Sequence, residues 1–211
     1  KKDFKIAKDY YEYSAVLNNS KALYKMAKIF YNGVIVEKNE LKAIKLYKRS
    51  ANQNNYKALY KLALIYQSFL NEKISKSIDY LLRLIKLDND CEYLSSKIRS
   101  NGYYYLAVNE IGLIYAIEEK LQNIQSASNY LKEAAFSEYP FGQYNYGLMC
   151  ILYLGKKDYA YHMFKSSSEH CFAMASYNLG RLYEIDGNLK ESIKYYEKAS
   201  NEENAPLIFR R

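Results

Sequence analysis

Residues 22–33 read ALYKMAKIFYNG, and residues 175–186, far along the chain, read ASYNLGRLYEID. No long identical run joins them, yet their small, aliphatic and aromatic residues come in the same order. Three more segments align with this pair: ALYKLALIYQSF from Ala58, AVNEIGLIYAIE from Ala107 and GQYNYGLMCILY from Gly142. Each opens on a small residue and carries a bulky one four positions on: Met26, Leu62, Ile111, Tyr146 and Leu179. Ala or Gly comes next, and Phe, Tyr or Cys three positions after that. Residues recurring every third or fourth position share one side of a 3.6-residue helix, so the stretch is the buried stripe of an amphipathic helix. The small residue after the bulky one is expected to leave room for a neighbouring backbone.

A second pattern follows each segment after a turn: KAIKLYKRSA, KSIDYLLRLI, SASNYLKEAA, YAYHMFKSSS and ESIKYYEKAS. Its small anchors are Ala43, Ser77, Ala127, Ala160 and Ser192, with bulky residues three and four positions on and Lys, Glu, Asp or Ser opposite. The two anchors of a pair lie 17 to 21 residues apart, a nearly constant interval that makes the unit a helical hairpin. Turn residues fall between the halves, at Asn32-Gly33, at Gly155 and at Asp186-Gly187. The first anchors advance by 36, 49, 35 and 33 residues. The long step marks an insertion, expected to form a short extra helix or a longer second one.

Self-similarity at a period of about 30 to 45 residues is the mark of a stacked helical array. The expected fold is all-α: a right-handed α-solenoid of helix-turn-helix repeats running through residues 1–211 as a single array. A partial repeat covers 1–20, and repeats cover about 21–56, 57–104 with the insertion near 87–104, 105–140, 141–172 and 173–203. A second partial repeat covers 204–211, and both ends read as cut from a longer array.

These residues resemble the Sel-1-like repeat family, a relative of the tetratricopeptide repeat, whose pattern is roughly A-x-Y-x-L-G-x-x-Y-x-x-G, a loop, then A-x-x-W/Y-Y-x-x-A-A. The last repeat matches with Ala175, Tyr177, Leu179, Gly180, Tyr183, Gly187, Tyr195, Tyr196 and Ala199. The first matches with Ala22, Tyr24, Met26, Phe30, Gly33, Ala43, Tyr47 and Ala51, but has Ala27 in place of the inner glycine. The second uses Ala63 there and lacks the loop glycine, and the fourth departs at Ser166, Ser167 and Ser168.

The resemblance implies a protein-binding scaffold whose first helices line a concave groove. By analogy with tetratricopeptide relatives, groove positions lie one before the first anchor and two, six and nine after it. They include Lys21, Tyr24, Lys28 and Tyr31 in the first repeat and Lys57, Tyr60 and Leu64 in the second. Asn109 and Leu113 follow in the third, Tyr144 and Leu148 in the fourth, and Tyr177 and Arg181 in the fifth. The groove is thus expected to be cationic with tyrosines at one end and apolar in the middle. The tyrosines carry a second reading, as rings that pack the hairpins together.

Charge sharpens the expected partner. Residues 1–104 hold 20 Lys or Arg against 10 Asp or Glu, while residues 105–211 hold 11 against 13. The basic half suits a protein segment with acidic residues beside aliphatic ones. Single-stranded nucleic acid is the rival, since charge and aromatic rings are its two requirements. The lysines are spread over several helical faces, however, and most of the 26 tyrosines occupy packing positions.

Nothing in the sequence points to catalysis, a cofactor, a metal or a small-molecule substrate. Phosphate-loop, nucleophile-elbow and HExxH motifs do not occur. Glu118-Glu119 and Glu202-Glu203 are neighbours on a helix, about 100° apart, and read as solvated faces. His162, His170 and Cys171 match no common zinc spacing; Cys150 fills an aromatic slot and reads as buried, leaving Cys91 as the thiol to test for reactivity. Three cysteines without a CxxC pair favour a reducing, cytoplasmic setting. The sequon at Asn18, Asn19 and Ser20, and a first residue other than Met, keep the endoplasmic-reticulum lumen as the alternative. There the resemblance implies the adaptor of a degradation ubiquitin ligase. A regulatory arm of a larger enzyme is the other role for part of a longer polypeptide or complex.

Overall fold

In the computed structural model, which describes residues 2–34, 36–69, 74–90, 102–137 and 139–202, the described residues form eleven α-helices and no strand. They belong to two compact units, Lys1–Ala107 and Val108–Arg211. The first holds α1 (Lys2–Val16), α2 (Ser20–Asn32), α3 (Glu40–Asn52), α4 (Tyr56–Phe69), α5 (Ile74–Asp90) and the first turn of α6 (Tyr103–Ile117). The second holds the rest of α6, α7 (Ile124–Phe136), α8 (Pro140–Leu152), α9 (Lys157–Glu169), α10 (Ala173–Ile185) and α11 (Leu189–Asn201). The pairs α2/α3, α4/α5, α6/α7, α8/α9 and α10/α11 are the five hairpins expected from the spacing. Within a unit each hairpin packs on the next, as α3 does on α4, α7 on α8 and α9 on α10. This is the architecture of helical-repeat solenoid proteins. No helix among the described residues is long and apolar enough to cross a membrane.

Asparagines start many of these helices. Asn19, Asn39, Asn55, Asn123 and Asn188 each accept a bond on the side-chain oxygen from the backbone N–H three residues on, at 2.9 to 3.3 Å. Such a cap satisfies one of the unpaired donors of a helix start and is worth about 1 kcal/mol. At the other end of α2 the left-handed Gly33, φ 68°, turns the chain and donates its N–H to Ile29 at 3.0 Å.

Five places after the anchor, the glycines of three first helices make room mainly for a side chain of the paired helix, beside the backbone expected. A Cβ added at Gly112, Gly147 or Gly180 would meet Leu131 Cγ at 2.7 Å, Phe164 Cε1 at 2.7 Å or Tyr196 Cδ1 at 2.9 Å. The space is therefore taken mainly by the bulky side chain four places beyond the anchor of the paired helix. Backbone comes closer still at an opening anchor, Gly142, where a Cβ would lie 2.7 Å from both C and O of Ala134 in α7. Side chains such as Tyr47, Leu131 and Phe164 are almost wholly buried, each contributing roughly 1.5–3 kcal/mol.

Two recurring contacts fix the hairpins. Tyr66 stacks on Tyr80, Tyr115 on Tyr130 and Tyr183 on Tyr195, with centroids 5.5 to 6.0 Å apart and planes within 15°. These pairs occupy the same register, and such ring contacts add about 0.5–1.5 kcal/mol beyond area burial. Between hairpins, a cation of one second helix reaches the end of the preceding one. Arg49 Nη2 donates to Ala15 O (3.5 Å) and Asn18 Oδ1 (3.0 Å), Arg83 Nη2 to Asn52 O (3.4 Å) and Asn54 Oδ1 (2.7 Å), and Lys198 Nζ to Ser168 O (2.7 Å). The turns they approach contain left-handed residues, Asn18, Asn54 and Cys171, with φ of 57° to 60°.

Part of the insertion is accounted for by α5, 17 residues long against 13 for α3. Its remainder, residues 91–101 with Cys91, and the terminal partial repeat 204–211 lie outside the described residues.

Candidate functional site

In the first unit the expected groove residues sit on α2 and α4. Lys21, Lys28 and Lys57 are exposed, whereas Tyr24, Tyr31, Tyr60 and Leu64 are half-buried. Both readings of the tyrosines are visible in one side chain. Tyr24 packs against Tyr47 with centroids 5.7 Å apart, yet it also lines a cleft of about 410 Å³. Burial, then the neighbouring Tyr103, holds the Tyr24 phenol above its ordinary range, so it stays a neutral donor. Tyr31 lies edge-on to Tyr47 at 6.4 Å and carries the Lys61 ammonium 4.4 Å from its ring centre. Tyr60 lies edge-on to Tyr103 at 5.7 Å.

The cleft opens beside the first turns of α2 and α4. Lys21, Lys25 and Lys57 line it with Tyr24, Tyr56 and Tyr103, and the α3–α4 turn, residues 53–55, closes one side. No carboxylate lines it. None of the ion pairs among the described residues uses Lys21, Lys25, Lys28 or Lys57. Lys28 and Tyr31 lie outside the lining. Lys25 and Tyr103 were not expected from the sequence: Lys25 sits three places after the anchor, a register the tetratricopeptide analogy leaves out. The polar run Gln53, Asn54, Asn55 was the available signal for a turn at this end of the hairpins.

In the second unit the expected residues are more deeply engaged. Asn109 is 3% exposed and accepts a bond from Asn145 Nδ2 at 2.8 Å, so its side chain is spent inside the unit. Leu113 and Leu148 are half-buried against the core of α7–α10. Tyr144 lies near Phe164 and Phe172, at 5.9 and 5.1 Å, and its hydroxyl accepts from Asn178 at 3.3 Å. Burial raises its pKa, and the Asn178 bond opposes the shift. Tyr177 packs on Tyr196 at 5.5 Å. Arg181 is exposed.

The residues considered for chemistry are dispersed. His162, His170 and Cys171 are exposed, and no group of three potential ligands gathers among the described residues. Cys150 is fully buried, and burial pushes its thiol up. Glu202 corrects the solvated-face reading of its pair. The chain turns at this residue from helix to extended backbone, ψ 137°, and folds the carboxylate onto Ser176, whose Oγ lies 3.1 Å from both oxygens. Only 8% of Glu202 is exposed.

With this geometry in view, the order of small and bulky residues identifies the repeat. Residues 20–55, 140–169 and 171–204 match the family model of the Sel1 repeat. These three segments are Sel1 repeats. Residues 56–139, which the family model leaves unmatched, include the Sel1-like hairpins with Ala63 for glycine, the insertion, and Asn109 where other repeats have tyrosine.

Solved structures agree on the Sel1 fold. A protective antigen of uropathogenic Escherichia coli strains, c5321, which displays the same repeat fold, superposes with a TM-score of 0.75 at 17% identity, over 92% of this chain and 41% of its own. A Sel1 repeat protein from Oxalobacter formigenes superposes with a TM-score of 0.72 at 20% identity, over 95% of this chain and 78% of its own. YrrB, described as a TPR protein with an unusual peptide-binding site, gives 0.52 at 18% identity over 91% and 90%. At these identities the likeness is one of fold. No match is found among curated protein sequences. Sel1 and tetratricopeptide-like folds generally serve as protein-interaction scaffolds.

Proposed function

We propose that this Sel1-repeat chain is a non-catalytic adaptor that holds a segment of a protein partner against the exposed faces of its first helices. On α2 and α4 that face reads acidic residues set beside aliphatic or aromatic ones. The observation that carries this reading is the set of exposed lysines, Lys21, Lys28 and Lys57, without ion-pair partners among the described residues and interleaved with half-buried tyrosines. Half-buried rings lose little freedom on binding and supply contact area, while the ammoniums steer an acidic chain. A TPR fold neighbour, YrrB, is described as having a peptide-binding site, which agrees with a segment as ligand.

The test is site-directed photo-crosslinking in the cells that make the protein. A photoreactive residue at Lys28 or Arg181, both exposed on first helices, is expected to capture a protein partner. The same residue at Lys45 or Lys165, exposed on second helices, is expected to give none. Capture from the second-helix positions alone, or equal capture from all four, overturns the reading.

A further inference from the structure

Resting on that reading, we infer that the first unit binds its partner at one preformed cleft, which takes carboxylates on Lys21, Lys25 and Lys57 and an aromatic or aliphatic side chain against Tyr24 and Tyr103. The occupant is an acidic segment of a protein.

The walls of the cleft are built before anything binds. Asn54 is held by Arg83 at 2.7 Å, and Asn55 bonds Ser20 Oγ and the N–H of Ala58, both at 3.1 Å. Gln53 donates to Asn18 O at 2.8 Å. The amides of the turn therefore spend much of their bonding capacity within the protein. Tyr24 is braced by Tyr47, and Tyr103 by Tyr60. What the cleft retains is a surplus of donors: three ammonium groups and no acceptor carboxylate in the lining. Lys21 and Lys25 are four apart on α2 and so point the same way, a like-charge pair that an entering anion relieves. A volume of about 410 Å³ lies within the range of sites that enclose a ligand group, and rigid walls reduce the entropy lost on binding.

Lys25 separates this inference from a groove read evenly along the helix. It lines the cleft but stands outside the expected groove register; Lys28 stands in the register but outside the cleft. The experiment measures fluorescence anisotropy of a labelled acidic peptide, with Asp and Glu flanking one Phe, on the purified chain at about 50 mM salt, where the Debye length exceeds the ~10 Å of 0.1 M salt and exposed charges are less screened. Lys25→Glu is expected to weaken binding by roughly five- to tenfold, through one lost attraction and one gained repulsion, whereas Lys28→Glu, on the same binding face but outside the cleft, is expected to give a smaller loss of about twofold. Replacing the Phe by Gly in the peptide, or Asp and Glu by Asn and Gln, is expected to weaken binding as much. Helical circular dichroism must be unchanged, and Lys25→Gln, which removes charge without reversing it, is expected to give a smaller loss in the same direction.

Equal losses from Lys25→Glu and Lys28→Glu, or a loss from Lys28→Glu alone, overturn the cleft and leave the adaptor reading standing. So does failure of the peptide to bind while crosslinking at Lys28 still captures a protein. Tighter binding of an oligothymidylate of equal charge overturns the assignment of a protein segment.

Discussion

The substitution Gly142→Ala probes the contact that sets the distance between α7 and α8. A methyl group there would lie 2.7 Å from the carbonyl carbon and oxygen of Ala134 and 2.9 Å from its Cβ. Those first two atoms belong to helix backbone, which cannot swing aside as a side chain can. Overpacking a tight site costs about 1–3 kcal/mol, and rigid neighbours place this one near ~3. Alanine recovers at most about 1 kcal/mol of helix propensity relative to glycine. The expected net loss is about 2 kcal/mol. At about 4 °C per kcal/mol for a unit near 100 residues, melting should fall by ~8 °C. Gly180→Ala is the matched control: its methyl would meet the Tyr196 ring at 2.9 Å and Ser192 O at 3.2 Å, and the ring can tilt. Strain and propensity should then nearly cancel, leaving the midpoint within about 2 °C. Thermal and urea melts followed by circular dichroism at 222 nm decide the matter, with denaturation midpoints compared because stacked repeats need not unfold in one step. A Gly142→Ala protein as stable as the parent, or a Gly180→Ala protein equally destabilised, would refute the argument that backbone contact sets this helix spacing.

Other outcomes follow from the same coordinates. Arg83→Ala removes the bonds to Asn54 and Asn52 O and should lower stability by about 1 kcal/mol in urea titrations, with Lys86→Ala, exposed on the same helix, nearly silent. Burial raises the pKa of Glu202, against the opposing Ser176 bond and Lys198 charge, so the folded state holds that proton more tightly than the unfolded one. Stability should therefore fall as pH rises from the ordinary glutamate range through the raised value, and Glu202→Gln should abolish that slope in melts taken across this window. Cys171 is exposed and Cys150 buried, so peptide mapping after brief alkylation should find Cys171 modified and Cys150 protected until denaturant is added.

The hairpins were legible because their information is local. A small residue, a bulky one four places on and another after eight already specify which side of a helix is buried, and α2/α3 through α10/α11 fall where that spacing puts them. The role of Gly112, Gly147 and Gly180 was only partly legible because spacing along one helix does not say what the facing helix presents. It presents the side chains of Leu131, Phe164 and Tyr196 first, with main-chain atoms close behind, Leu131 N at 3.1 Å and Ser192 O at 3.2 Å from the added Cβ at Gly112 and Gly180. Glu202 was misread for a related reason: the reading assumed helical backbone, but the helix has ended at this residue and its carboxylate folds onto Ser176. Among the candidate binding residues, Asn109 turns inward to meet Asn145, 36 residues away, a pairing that no local pattern encodes. Lys25 was passed over because the register was carried from a related repeat, whereas the cleft is shaped by the turn that joins α3 to α4.

The cations that reach back from one hairpin to the last turn of the previous one have a bearing on how such a chain can be lengthened or shortened. Arg49 meets Asn18 across 31 residues and Arg83 meets Asn54 across 29, so each helix end is finished by material supplied about one period downstream. A fragment severed in the loop between two hairpins carries an uncovered terminus, however well its own pair is assembled. The transplantable segment is thus a hairpin together with the helix that closes over it, and grafts trimmed to the visible motif alone should fray at their trailing edge.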